Sequence, residues 1–294
     1  MAKQKRPVGV IGTGLMGMAC AKRLLGAGFD VVGYDVDAGK IKQVEALGAR
    51  AVRSIPELAR ECDRIVLAVF NTDQVEDTVE GPGGLLATGA PSLTAICVST
   101  CDPGRIVALA ARLPAARLRF VEAPVSGTRE QTARGEALGL IGGEPAAVEA
   151  ARDVIVAIAP RWHHIGPTGS GGRAKLAINL ILGINRAALA EGLVFAERMG
   201  LDPAAFLAVA RESAAYSQIM DIKGKKMLAG DFSPQGYVAQ SLKDFSLMLE
   251  QARRLKQQLP LGEVYKALMD GCVAAGEGNL DNSAVIREIR RRTG

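Results

Sequence analysis

The feature that most constrains this chain is the run from Pro7 to Asp35: an apolar strand (PVGVI), a glycine-rich turn (GTGLMG), an apolar helix, a second strand (DVVGY) and then an acid. Each part has a mechanical reason. Gly12 admits the tight turn, Gly14 lets backbone approach a pyrophosphate, and Gly17 lets the helix pack closely on its strand. The free N–H groups and positive end of the new helix, around Thr13, Leu15 and Met16, then face the phosphates. Asp35 follows Gly17 by 18 residues, near the roughly 20 expected of an acid that accepts hydrogen bonds from a ribose diol. The expectation is a dinucleotide-binding βαβ unit, specific because the glycines close a strand and open a helix.

The acid also bears on which dinucleotide. A carboxylate at the adenosine ribose repels a 2′-phosphate, and Val36 and Asp37 offer no cation to neutralise one, so NAD is favoured over NADP. The alternative is that Asp35 caps its own loop while Lys40 or Lys42 reaches a phosphate.

At 294 residues, with 48% hydrophobic and 23% charged residues, the chain suits two globular domains. Strand and helix signals alternate after the first unit: RAVRS, PELAREC, DRIVLAV, QVEDTVE, LTAICVST, PGRIVALAARL. Apolar runs buried on both faces predict a parallel, doubly wound sheet of Rossmann type. FVEAPVSG, EALGLIGG and RWHHIG extend it, with EPAAVEAARDVIVAIA as a helix between the last two. The pattern breaks at IGPTGSGG. Beyond it strand signals vanish, which predicts a dinucleotide-binding domain over 1–165 and an all-helical substrate and oligomerisation domain over 166–294. KLAINLILGINRAALAEGLVFAERMG reads as one helix of about 25 residues, near 40 Å long, apolar on nearly every face in its first half and so expected to be buried on all sides.

The net charge of +5 is modest, and the clusters KQKR and REIRR lack interleaved aromatics; both read as solvated ends, not as a nucleic-acid surface. Cys20, Cys62, Cys97, Cys101 and Cys272 form no CxxC pair and are odd in number, as expected of reduced thiols in a cytoplasmic protein. Cys101 has no histidine near it in sequence to activate a nucleophile. His163 and His164 are adjacent on a strand and point to opposite faces, so no metal site is expected. The start lacks an apolar leader, and LAINLILGI, interrupted by Asn179, reads as too short to span a bilayer.

Chemistry concentrates at Lys175 and Asn179, four apart and therefore on one helix face. Burying a lone ammonium costs several kcal/mol, so Lys175 is expected to face a cleft or an anion, where a depressed pKa would suit proton exchange near neutrality. The bland alternative is a lysine in the first turn that snorkels to solvent. Ser126, in PVSG at 124–127, follows a strand and sits at the edge where doubly wound sheets place ligands. Ser99 and Thr100 end another strand, with Thr100 placed to face a nicotinamide, and Lys243 and Asp244 open a further helical stretch.

Taken together, GTGLMG, EAPVSG with GEALGLIGG, GSGGRAKLAIN, LKDFSLML and GNLDNSAVI occur in the order, and over almost the whole length, in which the chain resembles the β-hydroxyacid dehydrogenase (3-hydroxyisobutyrate dehydrogenase-like) family. The resemblance implies an NAD-dependent oxidoreductase acting on a small anionic 3-hydroxy acid, and a homodimer or homotetramer. It implies that Lys175 is catalytic and that Ser126, Gly127 and Asn179 bind substrate. Gly12, Thr13, Gly14, Leu15, Met16, Asp35, Val69, Phe70, Thr100 and Lys243 then fall on the cofactor side.

Two departures stand out. Ile178 occupies a position where the family usually has a second asparagine, and PVSG continues as TREQ where small residues are usual. Thr128 and Arg129 thus bring bulk and charge to the substrate loop, and an arginine there can grip a second anionic end. Alternatively Arg129 points to solvent from a short helix, REQTARG. The rival functions are imine reduction on the same scaffold, against which Lys175 and PVSG speak, and a non-catalytic dinucleotide-binding module, against which Lys175 speaks.

Overall fold

The structure is a computed structural model that describes residues 6–292; Lys3, Gln4 and Lys5 of the first basic cluster lie outside the described residues. The chain divides into two compact units between Lys175 and Leu176, later than the expected 165.

Unit 1 opens with β1 (Val8–Ile11), α1 (Leu15–Gly26), β2 (Val31–Tyr34), α2 (Ala38–Ala46) and β3 (Arg50–Ala51). It continues through α3 (Ile55–Glu61), β4 (Arg64–Leu67), α4 (Thr72–Glu80), β5 (Leu93–Cys97) and α5 (Pro103–Arg112). Then come β6 (Leu118–Glu122), β7 (Val125–Ser126), α6 (Arg129–Arg134), β8 (Leu138–Gly142), α7 (Pro145–Ile158) and β9 (Arg161–Gly166). The nine strands form one sheet in the order β3-β2-β1-β4-β5-β6-β8-β7, with β9 also paired to β8. From β3 to β6 all pairings are parallel, as the crossover helices require. The parallel reading fails at β8, which runs antiparallel to β6 and β7. Only two residues separate β6 from β7, too few for a crossover, and the short α6 then folds the chain back.

Strand β1 illustrates how two layers form. Val8 and Val10 enter one apolar core with Leu24, Val66 and Val154, while Ile11 enters the other with Leu58, Leu67 and Leu109. Period-two alternation within a continuous apolar run gives each strand a helix-covered face on both sides. Where β1 turns into α1, Gly12 has φ +84°, and a Cβ at Gly17 would fall on the Gly12 carbonyl oxygen. No other residue allows helix and strand this close approach.

The long helix α8 (Ser170–Arg198) begins in unit 1 and continues into unit 2. By length and composition alone it is long and apolar enough to cross a membrane, a test that the core helix of a soluble protein also passes. It is not buried on all sides, since Ile181 and Phe195 are 62% and 63% exposed. What it carries is the pattern of a bundle's central helix. Gly183 lies against Phe245 and Tyr265, Arg186 is buried and donates to the Tyr265 hydroxyl at 2.5 Å, and Leu189, Ala190, Leu193 and Val194 join the core of unit 2.

Unit 2 adds α9 (Pro203–Glu212), α10 (Lys225–Ala229), α11 (Val238–Arg254), α12 (Pro260–Ala274) and α13 (Val285–Arg291), with a wider helical turn at Met220–Gly224. Lys223 and Asp281 form a buried ion pair at 2.8 Å, and Asp281 also accepts from the backbone of Gln235 and Ser283. REIRR is not a merely solvated end: Arg287 and Arg291 pair with Glu277, Arg290 with Glu197, and Ile289 is buried.

Candidate active site

Because β1, β2, β4, β5 and β6 are mutually parallel, their carboxyl ends lie along one sheet edge. That edge gathers Gly12 to Met16 after β1, Asp35 after β2, Val69 and Phe70 after β4, Ser99 and Thr100 after β5, and Ala123 to Ser126 after β6. The Ser99 hydroxyl donates to the Val69 carbonyl at 2.7 Å, which ties two of these loops together. Thr100 is buried in the connection to α5, past the end of β5 and not within it.

The glycine turn fits a pyrophosphate. A Cβ at Gly14 would meet no atom within 4 Å, so the space before the helix is open. Helix α1 also starts without a side-chain cap, which leaves its first N–H groups to an anion. Asp35 closes the turn from the other side. Its Oδ2 accepts from the Thr13 N–H at 2.7 Å and the Thr13 hydroxyl at 3.3 Å, and its Oδ1 from the Asp37 N–H at 3.0 Å. The carboxylate therefore caps its own loop, with Lys40 3.9 Å from Oδ1. Two carboxylate oxygens offer about four acceptor sites, so capping and a ribose contact are compatible.

Lys175 is the last residue of unit 1, in the second turn of α8. Its Nζ donates to the Val125 carbonyl at 2.7 Å, which sets the amine beside Ser126, the residue that ends β7. One turn earlier the same two segments meet again. Glu122, the last residue of β6, is buried and accepts from the N–H groups of Gly169 and Gly172, the latter at 3.0 Å. Burial pushes the Glu122 carboxyl above the ordinary range, against the pull of the Gly169 and Gly172 N–H groups, the Arg173 charge and the Gly171 N–H. The start of α8 thus meets a residue, Glu122, that the motif reading passed over. Its signal was an acid closing a buried strand, with a glycine run downstream able to surround it.

Asn179, one turn beyond Lys175 on α8, belongs to unit 2. Its Nδ2 donates to Asp244 Oδ2 at 3.0 Å, and Lys243 Nζ lies 3.0 Å from Asp244 Oδ1. Asp244 therefore orients Asn179 by a hydrogen bond and pairs with Lys243 by charge. Lys243 and Asp244 do not open a helix as expected; they lie inside α11, which begins at Val238.

The TREQ segment starts a short helix. The Thr128 hydroxyl accepts from the Gln131 N–H at 3.2 Å while Gln131 Oε1 accepts from the Thr128 N–H at 2.9 Å, a capping box that starts α6. Arg129 is half exposed and pairs with Glu130 at 3.0 Å. Gly127 packs tightly on Ala137. Phe70 is exposed near the edge. All five cysteines are buried free thiols; a hydrogen bond with Cys101, together with burial, raises Cys97 well above the ordinary thiol range. His164 contacts the Gly143 carbonyl at 2.9 Å.

Comparisons with known proteins agree with this layout. A family profile described as the NAD binding domain of 6-phosphogluconate dehydrogenase matches residues 7–166. A second, described as NAD-binding of NADP-dependent 3-hydroxyisobutyrate dehydrogenase, matches residues 169–289. The chain is 34% identical to L-threonate dehydrogenase of Cupriavidus necator, over 96% of this chain and 95% of that one. It is 31% identical to 2-(hydroxymethyl)glutarate dehydrogenase of Eubacterium barkeri, over 98% and 96% of the two chains. Among solved structures, 3-hydroxyisobutyrate dehydrogenase from Salmonella typhimurium aligns with a TM-score of 0.88 at 30% identity, covering 96% of this chain and 99% of that one. An imine reductase from Pseudomonas sp., at 20% identity and a TM-score of 0.66, shares the fold alone. The order of the motifs, the sheet edge they occupy and these full-length matches lead to one conclusion: the chain belongs to the β-hydroxyacid dehydrogenase family, as an oxidoreductase with a nicotinamide-dinucleotide-binding domain.

Proposed function

We propose that the chain transfers a hydride between NAD and a small 3-hydroxy acid or its semialdehyde, with Lys175 as general acid and base. The observation that carries this reading is the Lys175 amine, 2.7 Å from the Val125 carbonyl and next to Ser126. Gly12, Thr13, Gly14, Leu15, Met16, Asp35, Val69, Phe70 and Thr100 would hold the dinucleotide, whose nicotinamide would supply or accept the hydride when bound. In reduction the Lys175 ammonium gives a proton to the substrate oxygen as negative charge builds there; in oxidation the neutral amine takes the hydroxyl proton. Ser126, Gly127 and Asn179 orient the substrate, with Asp244 and Lys243 supporting Asn179. The relatives whose names specify L-threonate and 2-(hydroxymethyl)glutarate support an anionic hydroxy acid, and leave room for Thr128 and Arg129 near a second polar end.

NAD is preferred over NADP because the Asp35 carboxylate would face a 2′-phosphate with like charge, and Lys40 at 3.9 Å already engages that carboxylate. The exposed apolar side chains Ile181, Phe195, Val209 and Leu261 support self-association into a homodimer or homotetramer. Buried free thiols fit a reducing, cytoplasmic setting. Lys175 beside Ser126 argues against imine reduction and against a non-catalytic module.

The test is NADH formation with a panel of 3-hydroxyisobutyrate, D-glycerate, L-serine, L-threonate and 2-(hydroxymethyl)glutarate. At least one should turn over, and Lys175→Met should lower kcat by roughly 10²-fold or more with NADH affinity unchanged. Turnover of cyclic imines with none of the acids, or full activity in Lys175→Met, would reject the reading.

A further inference from the structure

The first turn of α8 leaves N–H groups that need acceptors. In α2, α3, α4, α5 and α9 that acceptor is the residue just before the helix: Asp37, Ser54, Asn71, Asp102 and Asp202. In α8 it comes from another strand altogether. Glu122 ends β6 and accepts from Gly169 and Gly172, and glycines make the room. A Cβ at Gly142 would stand 2.7 Å from Glu122 Oε2, one at Gly172 would stand 2.8 Å from Oε1, and one at Gly171 would stand 3.2 Å from the Glu122 Cβ. Three residues farther along both segments, Val125 accepts from Lys175. The two bridges are in step, 122 with 172 and 125 with 175, so they form successive rungs between the run that joins the end of β6 to β7 and the start of one helix.

We propose that Glu122 is a positioning residue: its carboxylate ties the first turn of α8 to the end of β6 and so sets where the Lys175 amine stands beside Ser126. The proposal rests on Lys175 being the acid and base of the reaction. Its physical content is that the second rung alone cannot hold the amine, because a lysine side chain is long and rotatable and the turn that carries it would otherwise be free to shift. Displacements of about 1 Å at a reacting group can cost about 10²-fold in rate. In Glu122→Gln one N–H keeps an acceptor and the other meets an amide donor, so the clamp is half undone at nearly constant volume. Gly172→Ala disturbs the same contact from the helix side and leaves the charge in place.

The experiment compares full-length wild type, Glu122→Gln and Gly172→Ala, with L-threonate and 3-hydroxyisobutyrate as probes at saturating NAD. The expected result is a kcat about 10- to 100-fold lower, KM and NADH affinity within about threefold of wild type, and faster amide hydrogen exchange confined to residues 169–176. Glu122→Asp, which keeps the charge, should recover part of the lost kcat. A kcat within about twofold of wild type in either folded variant overturns the proposal, as does a loss confined to melting temperature, or failure of both variants to fold. Full turnover in Lys175→Met, with the exchange change still present in Glu122→Gln, instead removes the functional reading of Lys175 and so is told apart.

Discussion

At the scale of single residues, the informative ones have partners that sequence spacing alone does not name. Asp35 was legible as an acid at the end of β2, and its distance from Gly17 pointed to a ribose. That both of its oxygens already serve Thr13 and Asp37 depends on how the turn folds back on β2, which no motif encodes. The double duty makes a prediction. Asp35→Ala should narrow the ratio of kcat/KM for NAD over NADP by about 10-fold, because it removes like-charge repulsion at the 2′ position. It should also raise KM for NAD, because the Thr13 N–H loses its acceptor. Steady-state kinetics with both dinucleotides checks it, and an unchanged ratio would mean that Lys40, not Asp35, governs the choice. Lys175 was likewise legible from the company of PVSG and GSGG, whereas the contacts of Glu122 with the Gly169 and Gly172 N–H groups and of Asp244 with Asn179 were not. Their partners lie 47 to 65 residues away in the chain.

At the scale of elements, periodicity identified the helices and the central strands, and failed where short segments answer to their neighbours. The TREQ segment reads equally as a substrate loop or as a helix start; its capping box shows that at least Thr128 is committed to α6. Thr128→Ala should therefore lower the stability of the protein by about 1 kcal/mol, while Thr128→Ser should stay near wild type, because serine retains the hydroxyl acceptor. Urea unfolding of the two variants is the measurement, and equal losses would remove the cap as the explanation. The antiparallel turn of β8 was missed for a related reason. Strand direction depends on whether a connection crosses over or folds back, and the apolar pattern of EALGLIGG is the same in both cases.

At the scale of the whole molecule, each unit has its own core, and unit 2 also buries charge. Lys223 is lowered to about 8 by burial, which outweighs the attraction of Asp281. Its folded pKa thus lies below its unfolded one. Between pH about 8 and 10 the unfolded chain holds the proton that the folded chain has released, so this group makes stability rise with pH in that window. Below it, the cost of burying the ammonium is present in full. Asp281 is held below the ordinary carboxylate range by Lys223 and the surrounding donors, despite its burial, so its contribution is present above that range and lost as the solution is acidified through its folded pKa. Subtracting the unfolding free energy of Lys223→Met from that of wild type, from pH 7 to 9, should give a difference that grows with pH; a flat difference would show that Lys223 does not titrate there. The amino-acid order by itself determined the βαβ units, the glycine turn and the switch to helices, because these rest on local backbone sterics and on side-chain period. Only the tertiary structure decided which acid clamps α8, what Asp35 and Asp244 bind, and which way β8 runs. Those depend on contacts between segments distant in the chain, where burial and unpaired N–H groups select the partner.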